Sequence, residues 1–473
     1  MSEKVKYPLR LKKPASAGIW YTAISAIERG SAVVFTPIYT RLLLPEEYGI
    51  YSLFISFTGI VTVFATLEIT GTAVYKGLRE FEKEKTFCSA AIGLILLFSL
   101  ISLGVYLLFS PFFNSFTQLT TYLTLILFLQ VFLNGVRGVK VSAAKFSYNK
   151  RLPLIEGIFF SLFTPTLSIA FIVLFKNAKY AKIYAALLTS LIFAIPILFS
   201  VLKDGLKSLF NKKIWSFLLK HSLPVLPHFL SMSLIWQIGK ITVANSFSPA
   251  SAAFLSLAIS VGLLPSVLNS GIQSAMIPWI TRRLPEGSAG RSRIYSLLLS
   301  AFLPLCLISV LFVSICPELF TLLCAEEYSG ALVAVYPISA SLPPVFLSGI
   351  LSSEISHYKN TAFVTLGSLS GMLFNLICNL LFTSKLGFLF SAILIPITFL
   401  VIDIVYFVIL KLKFKDKELP VGKLALILSV FFILIFTTFF LRISFSARIL
   451  FSISLIMLIL PRIRDIKNLC TEG

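Results

Sequence analysis

Residues 24–55 read ISAIERGSAVVFTPIYTRLLLPEEYGIYSLFI, and this stretch decides how the chain folds. Its first part is apolar over the length of a membrane helix, yet it contains Glu28 and Arg29 well inside the run. A charged side chain within lipid is rare, and it persists where it faces the interior of a helix bundle or a water-filled cavity. The first helix is therefore predicted to line a hydrated space inside a membrane protein.

The composition of the whole chain also indicates a membrane protein. Of its 473 residues, 57% are hydrophobic and 13% are charged, whereas soluble domains have about 45–50% and about 25%. The formal net charge of +21 is typical of basic cytoplasmic loops beside anionic lipid, so it is not interpreted as a nucleic-acid surface. The chain is predicted to be an all-α polytopic membrane protein without a nucleic-acid partner.

Apolar runs long enough to cross a bilayer, about 20 residues each, predict about fourteen transmembrane helices. The predicted spans are 18–41, 48–74, 87–109, 119–141, 153–175, 181–202, 222–246, 250–280, 294–316, 329–353, 361–383, 387–410, 422–441 and 445–461. Lys and Arg are concentrated in the N-terminal tail and in the loops after even-numbered spans. By the positive-inside rule, this distribution places both termini in the cytoplasm.

The spans are predicted to form two pseudo-symmetric lobes of six helices, followed by two extra helices. The predicted parts are a basic cytoplasmic tail (1–17), an N-terminal lobe (18–202), a cytoplasmic linker (203–221), a C-terminal lobe (222–410), and two extra helices with a cytoplasmic tail (411–473). Six spans per half give parallel repeats about an axis along the membrane normal, a layout of transporters that bind cargo near the midplane.

A weak internal repeat supports the two lobes. Residues 50–56 (IYSLFIS) match residues 254–260 (FLSLAIS), and each segment follows a turn that contains a proline, Pro45 or Pro249. Lys240 is the counterpart of Arg29 if the second turn is about seven residues shorter than the first. Helix bends that serve alternating access are predicted at Pro343–Pro344 and at Pro224 and Pro227.

Basic residues inside the spans are the candidates for binding an anionic cargo. Arg29 offers a planar, bidentate donor that suits a diphosphate, and a structural ion pair between helices is the alternative. Lys240 lies in the middle of its span, so cavity lining is favoured over snorkelling to an interface. Both residues are predicted to bind substrate.

A polar stripe marks the fourth span. Gln130, Asn134 and Arg137 follow one another at i, i+4 and i+7, so they share one helix face that is predicted to look inward. For Arg137 both cavity lining and snorkelling stay open, whereas Lys140 is interpreted as a snorkelling residue.

Acidic residues within the spans are candidates for coupling transport to an ion. They are Glu28, Glu68 and Asp403, and desolvation would allow such carboxyl groups to take up a proton. A structural partner is the alternative for Glu68 and Asp403. Glu156 is interpreted as a residue of a helix first turn.

The turn from Thr40 to Leu53, TRLLLPEEYGIYSL, resembles the first inter-helix turn of Wzx-type polysaccharide flippases, which belong to the multidrug/oligosaccharidyl-lipid/polysaccharide exporter (MOP) superfamily. The resemblance implies a flippase that moves undecaprenyl-diphosphate-linked oligosaccharide units across the bacterial inner membrane by alternating access, for O-antigen, lipopolysaccharide or capsule-type glycans. Arg29 and Lys240 would then hold the diphosphate with Arg137 as a third contact. Membrane lipids, a glycan polymerase and chain-length proteins are the implied partners.

Two other functions are weighed against the flippase. A drug or cation antiporter of the same superfamily needs acids rather than bases in its cavity. A membrane glycan polymerase or ligase needs a sizeable outward loop, and none of the predicted loops has room for a catalytic domain. The sequence has no Walker motif, metal-ligand cluster or nucleophile elbow, so no enzyme activity, cofactor or metal is predicted. The cysteines are interpreted as small hydrophobic residues, with a Cys316–Cys324 disulfide as the open alternative.

Overall fold

The computed structural model of the chain describes residues 12–454 except positions 72, 148, 150, 176–177, 204–207, 359–360 and 442–443. The side chains of these residues are also described, except those of residues 12–19, 21–23, 25–26, 29, 32, 178 and 202.

The first half of the fold runs from residue 12 to residue 203. Its helices are α1 (Lys12–Leu42), α2 (Pro45–Thr66), α3 (Ala73–Glu80), α4 (Glu84–Leu108), α5 (Ser110–Thr117), α6 (Thr121–Phe146), α7 (Arg151–Ile158), α8 (Thr164–Leu174) and α9 (Ala181–Lys203). A short π-helical segment, Phe159–Phe163, joins α7 to α8, so the two form a single span from Arg151 to Leu174.

The second half of the fold follows a short connecting helix, α10 (Lys212–Ser222). Its helices are α11 (Leu226–Ser246), α12 (Pro249–Gly262), α13 (Ser266–Arg283), α14 (Ser288–Leu323), α15 (Leu332–Ser339), α16 (Leu342–His357), α17 (Thr361–Leu386) and α18 (Phe388–Val408). Two more helices lie beyond it, α19 (Val421–Phe440) and α20 (Phe445–Ser454).

The all-α membrane class predicted from the sequence is confirmed. Within the described residues, ten helices are long and apolar enough to cross a membrane, or eleven if the bent pair α12 and α13 is one span. The predicted count of fourteen is not confirmed. Helices α1 and α11 have 31 and 21 residues but are not among the ten, and α20 is a short apolar helix whose predicted continuation to residue 461 lies outside the described residues.

Close packing of α17 against α18 illustrates how the second half is held together. A Cβ added to Gly367 would lie 2.1 Å from the Tyr406 ring, and one added to Gly371 would lie 2.4 Å from Ile402. Small residues at such positions let two helix backbones approach closely, which is how membrane helices gain packing energy. The pair α17 and α18 is therefore expected to move as one body.

The internal repeat has a structural counterpart at the two proline turns. Helices α2 and α12 begin at Pro45 and Pro249, and the helix before each one ends three residues earlier. The two turns are thus equal in length, and the shortened second turn that pairs Lys240 with Arg29 is wrong. In the common register Lys240 corresponds to Thr36, seven residues from Arg29, which is about 10 Å along a helix axis.

Helix breaks occur where prolines predicted them. Pro343 and Pro344 stand at the start of α16, directly after the interruption that separates it from α15, and α11 begins after the break that contains Pro224. A further bend of 53° separates α12 from α13 at Leu263–Pro265. Proline cannot donate the helical hydrogen bond, so it is found at such breaks.

Candidate functional site

The two halves of the fold meet at one end of the bundle, which we call the first-turn end because it carries the turn between α1 and α2. Tyr328 donates its hydroxyl hydrogen bond to the Leu43 carbonyl at 2.9 Å. Thr40 Oγ1 donates to the Leu323 carbonyl at 3.3 Å and accepts from the Ala325 amide at 3.2 Å. These bonds fix the end of α1 to the end of α14.

Two more contacts close the same end. Gln118 Nε2 donates to the Ala244 carbonyl at 3.0 Å, and Asn245 Nδ2 donates to the Phe116 carbonyl at 3.0 Å, which ties α5 to α11. Helices α2 and α12 touch backbone to backbone, because a Cβ added to Gly49 would lie 1.9 Å from the Pro249 carbonyl oxygen. Only glycine fits at position 49 in this arrangement.

The opposite end, which we call the basic end, is packed differently. The buried apolar cluster there, which includes Leu78, Phe87 and Val139, takes its buried members from residues 67–218. By contrast, the buried cluster that holds most of the second half also includes Tyr39, Leu43 and Tyr48, from the first-turn end of the first half. The halves therefore share a buried cluster at the first-turn end. At the basic end the contact is smaller: Leu226 of α11 packs against the first-half cluster, and a Cβ added to Gly71 would lie 3.8 Å from the Phe229 ring.

Helices α1 and α13 contact each other where the halves face one another. Their exposed residues include Glu28 and Gly30 on α1, and Ser270, Gly271 and Ser274 on α13. Small and polar residues exposed on helices of a membrane bundle suit a hydrated cleft better than a lipid-facing surface. We take this cleft as the candidate site.

Of the predicted substrate-binding residues, Lys240 lies on α11 and is 8% exposed. No hydrogen bond or ion pair to its ammonium group is found among the described residues. One turn away, a Cβ added to Gly59 of α2 would lie 3.6 Å from the Gln237 side chain, so this part of α11 faces the first half. Arg29 lies on α1, but its side chain is outside the described residues.

Arg137 has a structural partner. Its Nη1 lies 2.7 Å from Glu156 Oε1, and its guanidinium carbon lies 3.9 Å from the centre of the Phe160 ring. Glu28 is near enough to act on it electrostatically. Because α7 begins at Arg151, Glu156 is not in a helix first turn, and that interpretation is wrong. Its carboxylate instead pairs with α6, a contact that no local pattern encodes.

The other two members of the stripe also face neighbours within the first half. Gln130 is buried and its Oε1 lacks a hydrogen-bond partner among the described atoms. Asn134 Oδ1 accepts a hydrogen bond from Ser190 Oγ of α9 at 3.1 Å. Asn134 and Arg137 thus contact α9 and α7 of the first half.

The three ion-coupling candidates lie in different surroundings. Glu28 is exposed on α1. Glu68 follows the end of α2 with a positive φ of 48°. Asp403 is 1% exposed, accepts from Ser348 Oγ at 2.5 Å, and keeps Oδ2 without a partner in the described structure. No group of metal-binding side chains is found among the residues described.

Cys316 and Cys324 are both free thiols, so the alternative of a disulfide between them is wrong. Cys316 lies within α14 and Cys324 follows its end, and both are buried among apolar residues. Their position in this packed core supports the interpretation of the cysteines as small hydrophobic residues.

A buried lysine at the first-turn end lies among three tyrosine rings. Lys182 Nζ lies 4.0 Å, 4.4 Å and 3.9 Å from the ring centres of Tyr39, Tyr48 and Tyr51. Tyr48 in turn makes an edge contact with Tyr328 of the second half, at 5.9 Å between centres. Lys182 is the second residue of α9, and no local sequence signal indicates that the three rings surround it.

Comparison with known proteins gives one family and several similar folds. Residues 16–284 match the family model described as "Polysaccharide biosynthesis protein". No curated protein is matched. The solved structures that match include the lipid II flippase MurJ in an inward closed conformation, at 16% identity over 93% of this chain and 97% of that one, with a TM-score of 0.66.

Two further matches are transporters. One is a MOP superfamily transporter from Pyrococcus furiosus, described by the reverse polarity of its binding pocket, at 16% identity, 87% and 99% coverage and a TM-score of 0.61. The other is an inward-facing multidrug resistance MATE family transporter of the same superfamily, at 16% identity, 84% and 96% coverage and a TM-score of 0.59. At such identities the likeness establishes the fold, which is that of MOP-superfamily flippases and transporters.

Proposed function

The chain belongs to the polysaccharide biosynthesis protein family, and from this membership we propose that it is a flippase for undecaprenyl-diphosphate-linked oligosaccharide units in the bacterial inner membrane. The observation that carries the proposal is the one-sided joint between the halves. A transporter that works by alternating access must close one end of its cleft while the other stays open. The hydrogen bonds between the halves that are described above all lie at the first-turn end, and this arrangement supports the proposal.

The direction of the cleft follows from the distribution of charge. The basic loops lie at the end opposite the first-turn end, so the positive-inside rule assigns the basic end to the cytoplasm. Both termini are then cytoplasmic, and the described conformation is closed toward the outside. In this state the cleft receives cargo from the cytoplasmic side, where lipid-linked units are made.

In this proposal the diphosphate of the cargo is held by the cationic side chains of Arg29 and Lys240. Lys240 supports this role because its ammonium group has no partner among the described residues and lies on a helix that faces the other half. Arg29 offers a bidentate donor on α1. In the common register of α1 and α11, the backbone positions of residues 29 and 240 differ in depth, which suits successive contacts along a path better than one shared grip.

Arg137, Gln130 and Asn134 take a secondary part in this proposal. Arg137 must give up Glu156 before it can contact a phosphate, and Asn134 must give up Ser190. Glu28, Glu68 and Asp403 remain the proposed ion-coupling groups. The lipid tails stay in the bilayer, and a glycan polymerase and chain-length proteins are the proposed partners.

The test is complementation of a bacterial strain that lacks its own flippase, with surface glycan measured by immunoblotting and insertion measured as protein in the membrane fraction. We expect Lys240→Ala and Arg29→Ala to abolish surface glycan without loss of membrane protein. Lys220→Ala, which removes an exposed base of α10, is the matched control and retains glycan. Normal glycan display by Lys240→Ala would contradict the proposed grip.

A drug or cation antiporter is the alternative, because the fold is shared with multidrug transporters and Asp403 is buried with an unpaired oxygen. It predicts drug resistance on overexpression, abolished by Asp403→Asn. A glycan polymerase or ligase is the third option, and it predicts glycan synthesis by the purified chain.

A further inference from the structure

We propose that the second half binds one proton, shared between Glu354 and Asp416 through the Tyr295 hydroxyl, and that this proton fastens the loop of residues 414–420 to α14 and α16. The proposal concerns a site outside the cleft and does not depend on the nature of the cargo.

Three buried groups meet at this site from three separate segments. Tyr295 lies on α14, Glu354 lies near the end of α16, and Asp416 lies in the loop before α19. Their exposures are 3%, 1% and 1%. The Tyr295 hydroxyl oxygen lies 2.9 Å and 3.0 Å from the two Glu354 carboxyl oxygens and 2.5 Å from Asp416 Oδ2.

The number of protons in this arrangement decides its charge. A tyrosine hydroxyl carries one proton, so it can donate to one carboxylate and must accept from the other carboxyl group. An ionised carboxylate has no proton to give. For both contacts to be hydrogen bonds, one of the two carboxyl groups must be protonated. The geometry therefore requires one proton in addition to the proton of the tyrosine hydroxyl.

The surroundings assign the negative charge to Asp416. Its Oδ1 accepts from the amides of Glu418 and Leu419 at 2.9 Å and 3.2 Å, and its Oδ2 lies 3.7 Å from Arg291 Nε. Hydrogen bonds and a nearby cation favour an ionised carboxylate. Among the described hydrogen bonds the Glu354 carboxyl contacts the Tyr295 hydroxyl and accepts from no backbone amide, so the proton resides on Glu354.

With the proton bound, Arg291 and Asp416 balance each other and the cluster is neutral. Without it, a second buried carboxylate stays uncompensated, which is costly away from water. The remaining polar groups do not supply that charge. Arg291 Nη2 donates to the Tyr358 hydroxyl at 2.5 Å, and on α18 Asp403 is bound to Ser348, well along α16 from Glu354. His357 ends α16, and α13 presents Gln273 to that helix.

A cavity adjoins the network. It has a volume of ≈ 540 Å³, lies between α14 and α19, and is lined by Tyr295 together with Ser296, Glu418 and Lys423. Glu418 also accepts from Ser288 Oγ at 2.7 Å, so the loop closes over the start of α14. In this proposal, protons reach Glu354 from the cavity by way of the Tyr295 hydroxyl.

Loss of the proton is expected to release the loop. The Tyr295 hydroxyl would then have one proton for two carboxylates that repel each other, and Asp416, which belongs to the loop, is the one free to leave. The fastening is thus present in acidic and neutral buffer and is lost as the pH rises far enough to deprotonate Glu354. Helix α16 also contacts α13, which lines the cleft, because Gln273 Nε2 donates to the Phe346 carbonyl. The release of the loop therefore occurs on a helix that is next to the cleft.

Infrared difference spectroscopy of the full chain in lipid nanodiscs tests the proton directly. We expect a carboxylic-acid C=O band in the wild-type chain at neutral pH that is missing from Glu354→Gln. Asp403→Asn serves as the control for the other buried carboxyl group and keeps that band. Identical wild-type and Glu354→Gln spectra in this region would overturn the proposal.

Limited trypsin digestion tests the fastening. Cleavage after Lys415 and Lys417 is compared, at each pH, with cleavage after Lys83 in another loop at the same end. We expect this ratio to rise several-fold from mildly acidic to mildly alkaline buffer in the wild-type chain and to stay low in Glu354→Gln. Tyr295→Phe, which removes the bridging hydroxyl, is expected to give a high ratio at every pH. A pH profile that is the same in all three chains would overturn the proposal.

Discussion

Replacing Gly49 by alanine is expected to hold the first-turn end open. Gly49 lies on α2 against the start of α12, and an added Cβ would lie 1.9 Å from the Pro249 carbonyl oxygen and 2.3 Å from its carbon. Both atoms belong to the backbone, so no side-chain rotation relieves the clash. The two helices must move apart, and the natural direction is the opening of the joint.

The size of the effect follows from the overlap. A Cβ and a carbonyl oxygen need about 3.4 Å, so the helices must separate by about 1.5 Å, and overpacking of this kind costs about 1–3 kcal/mol. The conformation that is open at the first-turn end lacks this contact, so the substitution does not destabilise it. The ratio of closed to open chains should therefore fall by about 5- to 150-fold.

Cys324 reports the state of the joint. It is 5% exposed and directly follows Leu323, whose carbonyl accepts from Thr40. A chain in which the other five cysteines are replaced by serine is labelled with a membrane-impermeant maleimide. We expect slow labelling of this chain and labelling faster by up to the same 5- to 150-fold when Gly49→Ala is added.

Gly104→Ala provides the matched control. Gly104 lies on the membrane helix α4, and an added Cβ meets nothing within 4 Å. It should leave the labelling of Cys324 unchanged. Equal labelling rates in all three chains, or equal acceleration by the two alanine variants, would refute the assignment of Gly49 to the joint.

Three further changes test the joint and the packing. Tyr328→Phe removes the hydrogen bond to the Leu43 carbonyl, worth about 0.5–1.5 kcal/mol, and should speed Cys324 labelling by about 2- to 10-fold; unchanged labelling would contradict this. Glu156→Gln leaves the half-buried Arg137 without its anion and should lower the free energy of unfolding by about 1–3 kcal/mol, seen as a lower Tm, with exposed Glu82→Gln as the control. Gly367→Ala drives a Cβ to 2.1 Å from the Tyr406 ring and should cost about 1–3 kcal/mol in thermal unfolding; a Tm equal to that of Gly104→Ala would show that α17 and α18 are not close-packed.

Helix positions were predictable because they depend on local sequence. Long apolar runs gave most of the spans, and Pro45 and Pro249 mark the first residues of α2 and α12. The number of spans was less secure, because α1 and α11 carry charged and polar residues that lower their hydropathy. The helix breaks at prolines were also predictable, since a proline lacks the amide hydrogen at its own position in the chain.

Side-chain partners were not predictable, because packing between distant segments decides them. Arg137 and Glu156 belong to different helices, and nothing in their spacing indicates a contact of 2.7 Å. Glu354 was missed because the predicted span ended at residue 353, which assigned the carboxylate to a loop. Lys182 lay inside the predicted span 181–202, but nothing in the local sequence indicates the three tyrosine rings around it.

Three hydrogen bonds of the first-turn end share one kind of acceptor. The carbonyls of Leu323, Ala244 and Phe116 all lie in the last turn of their helices, where backbone oxygens have no partner of their own. Such acceptors persist whatever side chain the residue carries, so homologues should retain the donors Thr40, Gln118 and Asn245 while the acceptor positions drift freely. Water satisfies a bare carbonyl almost as well, so breaking this seal exchanges partners with little enthalpic loss.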